Sequence, residues 1–268
     1  MKNIQPVLCK TEGGKRVGRG CQARIDQASG CVNKCVGCYA KRVTRCGDAF
    51  DTVIEREFDT QALRASMRDA KAKGVHASRC GSVCDPGHNE GTLRTIIDIA
   101  TSEGMMLVVT TKSLTYSEGM ADALIRGGHM LQVSLGMISE AVGDAERYGM
   151  ATAYFNHGVD VTIRITTDAT VPPSEYYKHV ISGPMPVILT PMRFYGRPIM
   201  AQYGADDTNY THHKGYMRPN FVDAGWDGVE VCGEVGGEVF CANCLVPKNI
   251  AEIVEMRSVG TERIVAMA

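Results

Sequence analysis

The chain has 268 residues, of which 44% are hydrophobic and 22% are charged, the composition of a folded globular protein. That composition excludes a chain disordered throughout, and no apolar run approaches the roughly 18 residues of a membrane-spanning helix. The opening residues lack the apolar stretch of a secretory signal, so we expect a cytoplasmic protein with no membrane partner. The formal net charge is −1, but residues 10–45 hold nine Lys and Arg against two acids, so positive charge is concentrated there.

From residue 59 onward, helical patterns alternate with short apolar runs rich in β-branched residues, which is typical of βα units around a parallel sheet. Asp59 is placed to cap a first helix that ends at Gly74. The inward residues of that helix are Leu63, Met67 and Ala70. The further elements predicted are strand 75–82, helix 92–103, strand 105–110, helix 117–126, strand 129–135, helix 139–157, strand 159–166 and strand 186–190. This rhythm predicts an α/β fold of about six strands.

After Pro191 the βα pattern gives way to an irregular segment with seven aromatic residues between positions 194 and 226. These rings either pack a less regular segment or cover the mouth of the fold. We therefore divide the chain into residues 1–190, a core with a basic N-terminal segment, and residues 191–268, a C-terminal extension.

Eleven cysteines, an odd and clustered set, fit disulfides poorly in a reducing compartment and indicate metal binding. Cys31, Cys35 and Cys38 place three thiols within eight residues, so one loop can wrap a single inorganic cluster. Three close cysteines without a local fourth ligand leave one metal position open for chemistry. A Cys-x2-Cys pair alone could instead hold zinc.

The run GCVNKCVGCYA at residues 30–40 resembles the motif of the radical S-adenosylmethionine (SAM) superfamily. The segments CGSVCDP at 80–86, LVVTTKS at 107–113 and VSL at 133–135 are similar to the spore photoproduct lyase-like branch of that superfamily. The likeness covers roughly residues 28–168 and implies a partial (β/α)6 barrel of TIM type. The irregular cysteine-bearing extension follows this barrel.

The resemblance implies that Cys31, Cys35 and Cys38 ligate a [4Fe-4S] cluster whose remaining iron binds SAM. It implies SAM contacts from four further residues, Tyr39, Ser82, Lys112 and Ser134. The cluster would cleave SAM reductively to a 5′-deoxyadenosyl radical that abstracts hydrogen from the substrate, with flavodoxin or ferredoxin as the electron donor. Each of three candidate SAM contacts also has a purely structural interpretation. Tyr39 would pack on the barrel rim, Lys112 would be a solvated lysine, and Ser134 would be a strand serine bonded to backbone.

Cys80 precedes Ser82 by two residues, as does the cysteine that returns a hydrogen atom to the product radical in spore photoproduct lyase. If the strand is regular to its end, alternation puts Cys80 on the same side as Ser82 and so towards the pocket. We therefore consider Cys80 as a catalytic hydrogen donor. The alternative is a buried and inert strand cysteine.

Cys232, Cys241 and Cys244 form the last cysteine group, and the glycines between them allow a tight loop. We expect a second iron–sulfur cluster at these residues. The alternatives are zinc with a distant fourth ligand and free structural thiols.

The sequence is compatible with three functions. The first is a radical SAM enzyme acting on a pyrimidine base, in a nucleotide or in DNA, by modification, isomerisation or lyase chemistry. The second is a peptide-modifying radical SAM maturase with an auxiliary cluster at the C-terminal cysteines. The third is a non-catalytic metal-binding module, which iron content and SAM cleavage would separate from the other two.

Overall fold

The structure is a computed structural model. It describes residues 7–8, 23–33, 35, 38, 40, 47–136, 141–167, 173–191, 210–213, 216–219, 226 and 230–231. Four residues predicted for the site lie outside the described residues: Tyr39, Cys232, Cys241 and Cys244.

One mostly parallel sheet forms the centre of the described chain. Its strands, in spatial order, are β1 (Val7–Leu8), β2 (Ala23–Ile25), β5 (Ala77–Cys80), β6 (Met106–Thr111), β7 (Met130–Gly136), β8 (Asp160–Thr167), β9 (Val187–Pro191) and β12 (Glu230–Val231). Strand β1 runs antiparallel to β2, and the other pairs in this sheet are parallel. Two short antiparallel pairs stand apart from it: β3 (Ala28–Ser29) with β4 (Ile54–Glu55), and β10 (Tyr210–His213) with β11 (Tyr216–Pro219).

Helices connect the successive parallel strands of this sheet. Those described are α1 (Thr60–Ala72), α2 (Glu90–Glu103), α3 (Glu118–Gly127), α4 (Ala141–Asn156) and α5 (Glu175–Ile181). Because β5 to β9 are neighbours in chain order, right-handed crossovers place each connecting helix on the same side of the sheet. Accordingly, one apolar core contains residues from all five helices together with alternate strand residues such as Leu107, Leu131 and Ile163. The described chain is therefore an α/β protein, as predicted.

Local sequence signals explain where the helices begin and end. The carboxylate of Asp59 accepts hydrogen bonds from the backbone N–H groups of residues 61 and 62, and Leu63, Met67 and Ala70 of α1 are buried, which confirms that prediction. Gly104 caps the carboxyl end of α2, and its φ of +63° lies in the left-handed region that favours glycine.

The predicted and observed elements differ chiefly by omission. The elements predicted between residues 75 and 190 agree with the structure to within two residues at each end. The prediction omits β2 and α5, although both belong to the βα layer. Strand β2 has three residues, too few to show a period, and α5 has seven residues that follow two consecutive prolines.

Part of the predicted C-terminal extension contributes to the central layer. Strand β12 pairs with β9, and the buried Trp226 lies in the main core with its ring 6.4 Å from that of Tyr177. The boundary at residue 190 stays a prediction. Within the described ranges, no helix is both long enough and apolar enough to cross a membrane.

Candidate functional site

Polar residues gather where the parallel strands end. Asp26 follows β2, Ser82 follows β5 and Lys112 follows β6. Ser134 lies near the carboxyl end of β7. Because neighbouring parallel strands end at the same edge of a sheet, these residues share the edge at which βα folds place their active sites.

Asp26 ties the end of β2 to the loop after β5. Its Oδ1 atom accepts hydrogen bonds from the backbone N–H groups of Ser82 at 2.7 Å and of Val83 at 2.8 Å. The carboxyl is only 4% exposed, and this burial raises its pKa, although the two N–H donors oppose the rise. Ser82 is thus held by its backbone.

Asp85 forms a second and larger junction. Its Oδ1 atom accepts hydrogen bonds from Thr111 Oγ1 at 2.6 Å and from the Gly87 N–H at 2.9 Å. Its Oδ2 atom accepts from the backbone N–H of Lys112 at 2.6 Å. The carboxylate therefore fixes the start of the loop that carries the predicted SAM-binding lysine.

The cysteine loop is attached to this same carboxylate. Asn33, between the first two cysteines of the motif, donates from Nδ2 to Asp85 Oδ2 at 2.7 Å. The Ser113 hydroxyl donates to Asn33 Oδ1 at 2.8 Å, so both polar atoms of the amide are paired. Three loops that are distant in sequence are joined through Asp85.

The three motif cysteines are partly exposed, and none of them is in a disulfide with another described cysteine. The Cys31 N–H donates to the carbonyl oxygen of Phe50 at 2.8 Å, and the Cys38 N–H donates to that of Cys35 at 3.2 Å. Cys31 and Cys38 pack against one small apolar cluster, which contains Ala40, Phe50 and Val83. Burial raises the pKa of Cys31, so a metal bound there would have to displace its proton.

Gly30 allows the chain to enter the cysteine loop. Its φ is +88°, and a Cβ atom at this position would lie 2.0 Å from the carbonyl oxygen of Thr52. Only glycine fits this close approach of two backbones without a shift of the chain.

The donor chemistry of the loop fits an iron–sulfur cluster, because soft thiolates are the ligands that iron–sulfur clusters require. In the ranges that the structure describes, no group of three or more His, Cys, Asp or Glu side chains is close enough to hold a single metal ion. The cluster therefore remains an expectation from the motif.

Lys112 is fixed from both sides through its backbone. Its N–H donates to Asp85, and its carbonyl oxygen accepts a hydrogen bond from Arg147 Nε at 3.3 Å. Ser134, on the neighbouring strand β7, is largely buried. The structure thus places Ser82, Lys112 and Ser134 at one edge, and their contacts with SAM stay predictions.

Asp144, which was not predicted from the sequence, is a buried carboxylate bonded to the end of β7. Asp144 is fully buried and accepts hydrogen bonds from Tyr177 OH at 2.6 Å, Arg147 at 2.8 Å and the Gly136 N–H at 3.1 Å. Burial raises the pKa of Tyr177 strongly. Because Arg147 also contacts Lys112, this group links the end of β7 to the lysine loop. The spacing of Asp144 and Arg147 on one helix looks like an ordinary solvated pair in sequence.

The other missed residues are Asp26, Asp85 and Asn33. Only Asp85 carried a local signal, because Asp-Pro-Gly after a strand favours a turn, and its side chain indeed caps the short helix Pro86–His88. The spacing of neighbouring residues does not show which distant N–H groups donate to such a carboxylate.

Cys80 is fully buried in the main core, which it shares with its cross-strand partner Val109 and with Leu93. Strand β5 ends at Cys80, and the following Gly81 has a φ of +97°, so strand alternation does not extend to Ser82. Burial raises the pKa of Cys80 well above its usual range. These observations favour the packing interpretation, and the hydrogen-donor role stays a prediction.

The edge of the sheet thus combines soft sulfur donors with a lysine, serine hydroxyls and backbone held by buried carboxylates. Such a set suits a metal cluster beside a ligand that carries a carboxylate. Neither a scan against models of protein families nor a search of curated proteins finds a significant match for this chain.

Proposed function

We propose that this protein is a radical SAM enzyme. In this proposal Cys31, Cys35 and Cys38 hold a [4Fe-4S] cluster, and hydrogen is abstracted from a pyrimidine base, in a nucleotide or in DNA. The observation that carries the proposal is the junction at Asp85, which binds both Asn33 of the cysteine loop and the backbone of Lys112. The motif and the predicted SAM contacts come from separate stretches of sequence, and this junction joins them.

The finer fold that we propose is a partial (β/α)6 barrel. It is supported by the unbroken spatial order of β5 to β9 and by the single core that all five helices share with the sheet. In barrels of this kind the helices form one outer layer, and the active site lies at the carboxyl ends of the strands. Asp26, Asp85 and Lys112 lie at those ends.

When bound, the cluster supplies the electron that cleaves SAM to the 5′-deoxyadenosyl radical, with flavodoxin or ferredoxin as the external donor. The chain itself binds and orients. The Lys112 ammonium pairs with the SAM carboxylate, while Ser82 and Ser134 offer hydroxyls to its polar groups. Asp85 and Arg147 position Lys112 by holding its backbone N–H and carbonyl oxygen.

The proposal is tested by anaerobic incubation of the cluster-loaded protein with SAM, dithionite and one candidate substrate at a time. The candidates are thymidine, thymidine 5′-monophosphate, a thymine-containing oligonucleotide and a cysteine-containing peptide. Mass spectrometry should detect 5′-deoxyadenosine together with a mass change in a pyrimidine compound, and neither without dithionite.

Two results would count against the proposal. The absence of 5′-deoxyadenosine from fully loaded protein would overturn radical SAM chemistry. A mass change confined to the peptide would overturn the pyrimidine substrate and favour the maturase.

A further inference from the structure

Strand β8 carries polar residues on the side of the sheet that faces away from the shared core. Val161, Ile163 and Ile165 belong to the core that the sheet shares with the five helices. Since side chains alternate along a strand, the intervening residues point to the other side, called here the opposite face. These residues are Thr162, Arg164 and Thr166.

Strand register places hydroxyl groups on three sides of Arg164, while its cross-strand partner on β9 is the buried Ile188. Ser134 of β7 is its direct cross-strand partner, and it lies on the opposite face because Val133 and Leu135 lie in the core. Thr162 and Thr166 precede and follow Arg164 by two residues on the same face. Thr190 of β9 is paired with Thr166 and is therefore a diagonal neighbour of Arg164.

Two of these hydroxyls are buried without a hydrogen-bond partner. Thr162 is fully buried and its Oγ1 atom is unpaired, as is the buried Oγ1 atom of Thr190. Most buried polar atoms in proteins are paired, and an unpaired one lowers stability. By contrast, Thr110 in the same cross-strand row donates to Gln132 Oε1 at 3.2 Å.

We propose that Arg164 and Thr190 form a subsite for an oxyanion of the substrate, either a phosphate or a carboxylate. A guanidinium has five N–H donors in a planar fork, so it can bind an oxyanion and still keep a protein partner. The unpaired hydroxyl of Thr190 supplies a further donor. Thr162 lies four residues before Thr166, the cross-strand partner of Thr190, so it is about 13 Å away along the strand and does not reach the same ligand. The substrate role rests on the proposed function, because Ser134, the cross-strand partner of Arg164, is a predicted SAM contact.

The test measures binding of inorganic phosphate to the full chain by calorimetry, with SAM at saturating concentration. The wild type should bind phosphate, and Arg164→Ala should weaken binding at least about tenfold, the usual effect of losing a charge-assisted hydrogen bond. The matched control is Arg126→Ala, which removes an exposed arginine that pairs with Asp98 and should leave phosphate binding unchanged. Arg164→Lys replaces the alanine variant if the latter does not fold, with weaker binding again expected because the planar fork is lost.

Isosteric variants separate a ligand-binding role from a structural one. Thr190→Val removes the unpaired hydroxyl of the subsite, so it should keep or raise the melting temperature while weakening phosphate binding by about 2- to 10-fold. Thr162→Val removes an unpaired hydroxyl outside the subsite, so it should keep or raise the melting temperature and leave phosphate binding unchanged. Thr110→Val removes a paired hydroxyl instead, so it should lower the melting temperature and leave phosphate binding unchanged.

Several outcomes would overturn the subsite: no binding of phosphate or of acetate by the wild type, equal weakening by Arg126→Ala, or binding that occurs only when SAM is left out, which would assign Arg164 to the SAM site. Repeating the titration with acetate identifies the anion, since tighter phosphate binding supports a phosphate ester and tighter acetate binding supports a carboxylate. Phosphate binding by a protein that makes no 5′-deoxyadenosine would leave the anion subsite standing and remove only the proposed function.

Discussion

Asn33 Nδ2 and Asp85 Oδ2 are joined by a hydrogen bond of 2.7 Å across 52 residues of sequence. Asn33 belongs to the cysteine loop, and the same carboxylate oxygen accepts the backbone N–H of Lys112. The position of the three cysteines relative to Lys112 therefore depends on one side chain.

Replacing Asp85 with Asn should destabilise the protein by about 3 kcal/mol. The amide keeps one oxygen that can accept hydrogen bonds. Its NH₂ group, however, would face two N–H or O–H groups that now donate to the second carboxylate oxygen. Hydrogen bonds to charged groups contribute about 1.5–3 kcal/mol each. Urea unfolding measures the loss. Asp98→Asn is the control, because this exposed carboxylate pairs only at the surface with Arg94 and Arg126, and its loss should cost below about 1 kcal/mol. Equal losses in the two variants would contradict a special role for Asp85.

Asp26→Asn should have the opposite effect on stability at neutral pH. The amide oxygen can accept hydrogen bonds from both backbone N–H groups that now donate to Oδ1, and the variant buries no charge. Burial raises the pKa of Asp26 above its ordinary 3.8, so the folded state holds this proton more tightly than the unfolded chain does. The contribution of Asp26 is fully present below pH 3.8 and is lost as the pH rises through the folded-state pKa.

The stability difference between Asp26→Asn and the wild type should therefore shift in favour of the variant as the pH rises from 4 to 7. Urea unfolding at several pH values measures this difference. A difference that stays constant or shifts toward the wild type would show that the buried carboxylate is not disfavoured by its surroundings.

Lys112→Ala should weaken SAM binding to the cluster-loaded protein by about 10- to 150-fold, since one charge-assisted contact is lost. The loop should persist, because its anchors are the backbone atoms that Asp85 and Arg147 hold. Equilibrium dialysis measures the affinity, with Lys178→Ala, an exposed lysine paired with Glu175, as the control. Unchanged SAM affinity would return Lys112 to the solvated-surface interpretation.

Native protein without its cluster should react with iodoacetamide at pH 8 at the partly exposed motif cysteines, more slowly at Cys31 because burial raises its pKa, and not at the buried Cys80 or Cys84. The thiolate is the reactive form, and burial raises the pKa of Cys84 to about 12 and that of Cys80 well above its usual range. Peptide mass spectrometry compares native with urea-unfolded protein, in which all described cysteines should be labelled. Rapid native labelling of Cys80 would contradict its place in the core and would favour the hydrogen-donor role.

The sequence predicted the local elements well where a repeating apolar pattern and a cap coincide. Asp59, the buried face of α1 and the left-handed Gly104 are examples, because capping and amphipathicity act within a few residues of the chain. Strand β2 was not predicted, because its three residues are too few to show a repeating apolar pattern. Such a strand is recognised only by its pairing with β5.

The candidate site was predictable only in part, for a different reason. The cysteine spacing and the positions after β5 and β6 can be seen in the sequence, since they are local. The contacts that join them, Asn33 to Asp85 and Arg147 to Lys112, span 35 or more residues and depend on how the strands are ordered. The unpaired hydroxyl of Thr162 likewise becomes visible only when its neighbours on the sheet are known.

We propose that Cys31, Cys35 and Cys38 together hold the cluster at which SAM is cleaved. The most direct measurement is iron content and 5′-deoxyadenosine production in the triple Ala variant, after anaerobic reconstitution and reduction, with Cys46→Ala as the control. The triple variant should lose the four iron atoms of one cluster relative to the wild type and make no 5′-deoxyadenosine, while Cys46→Ala should retain both. Production of 5′-deoxyadenosine by the triple variant would show that SAM is not cleaved at a cluster held by these cysteines.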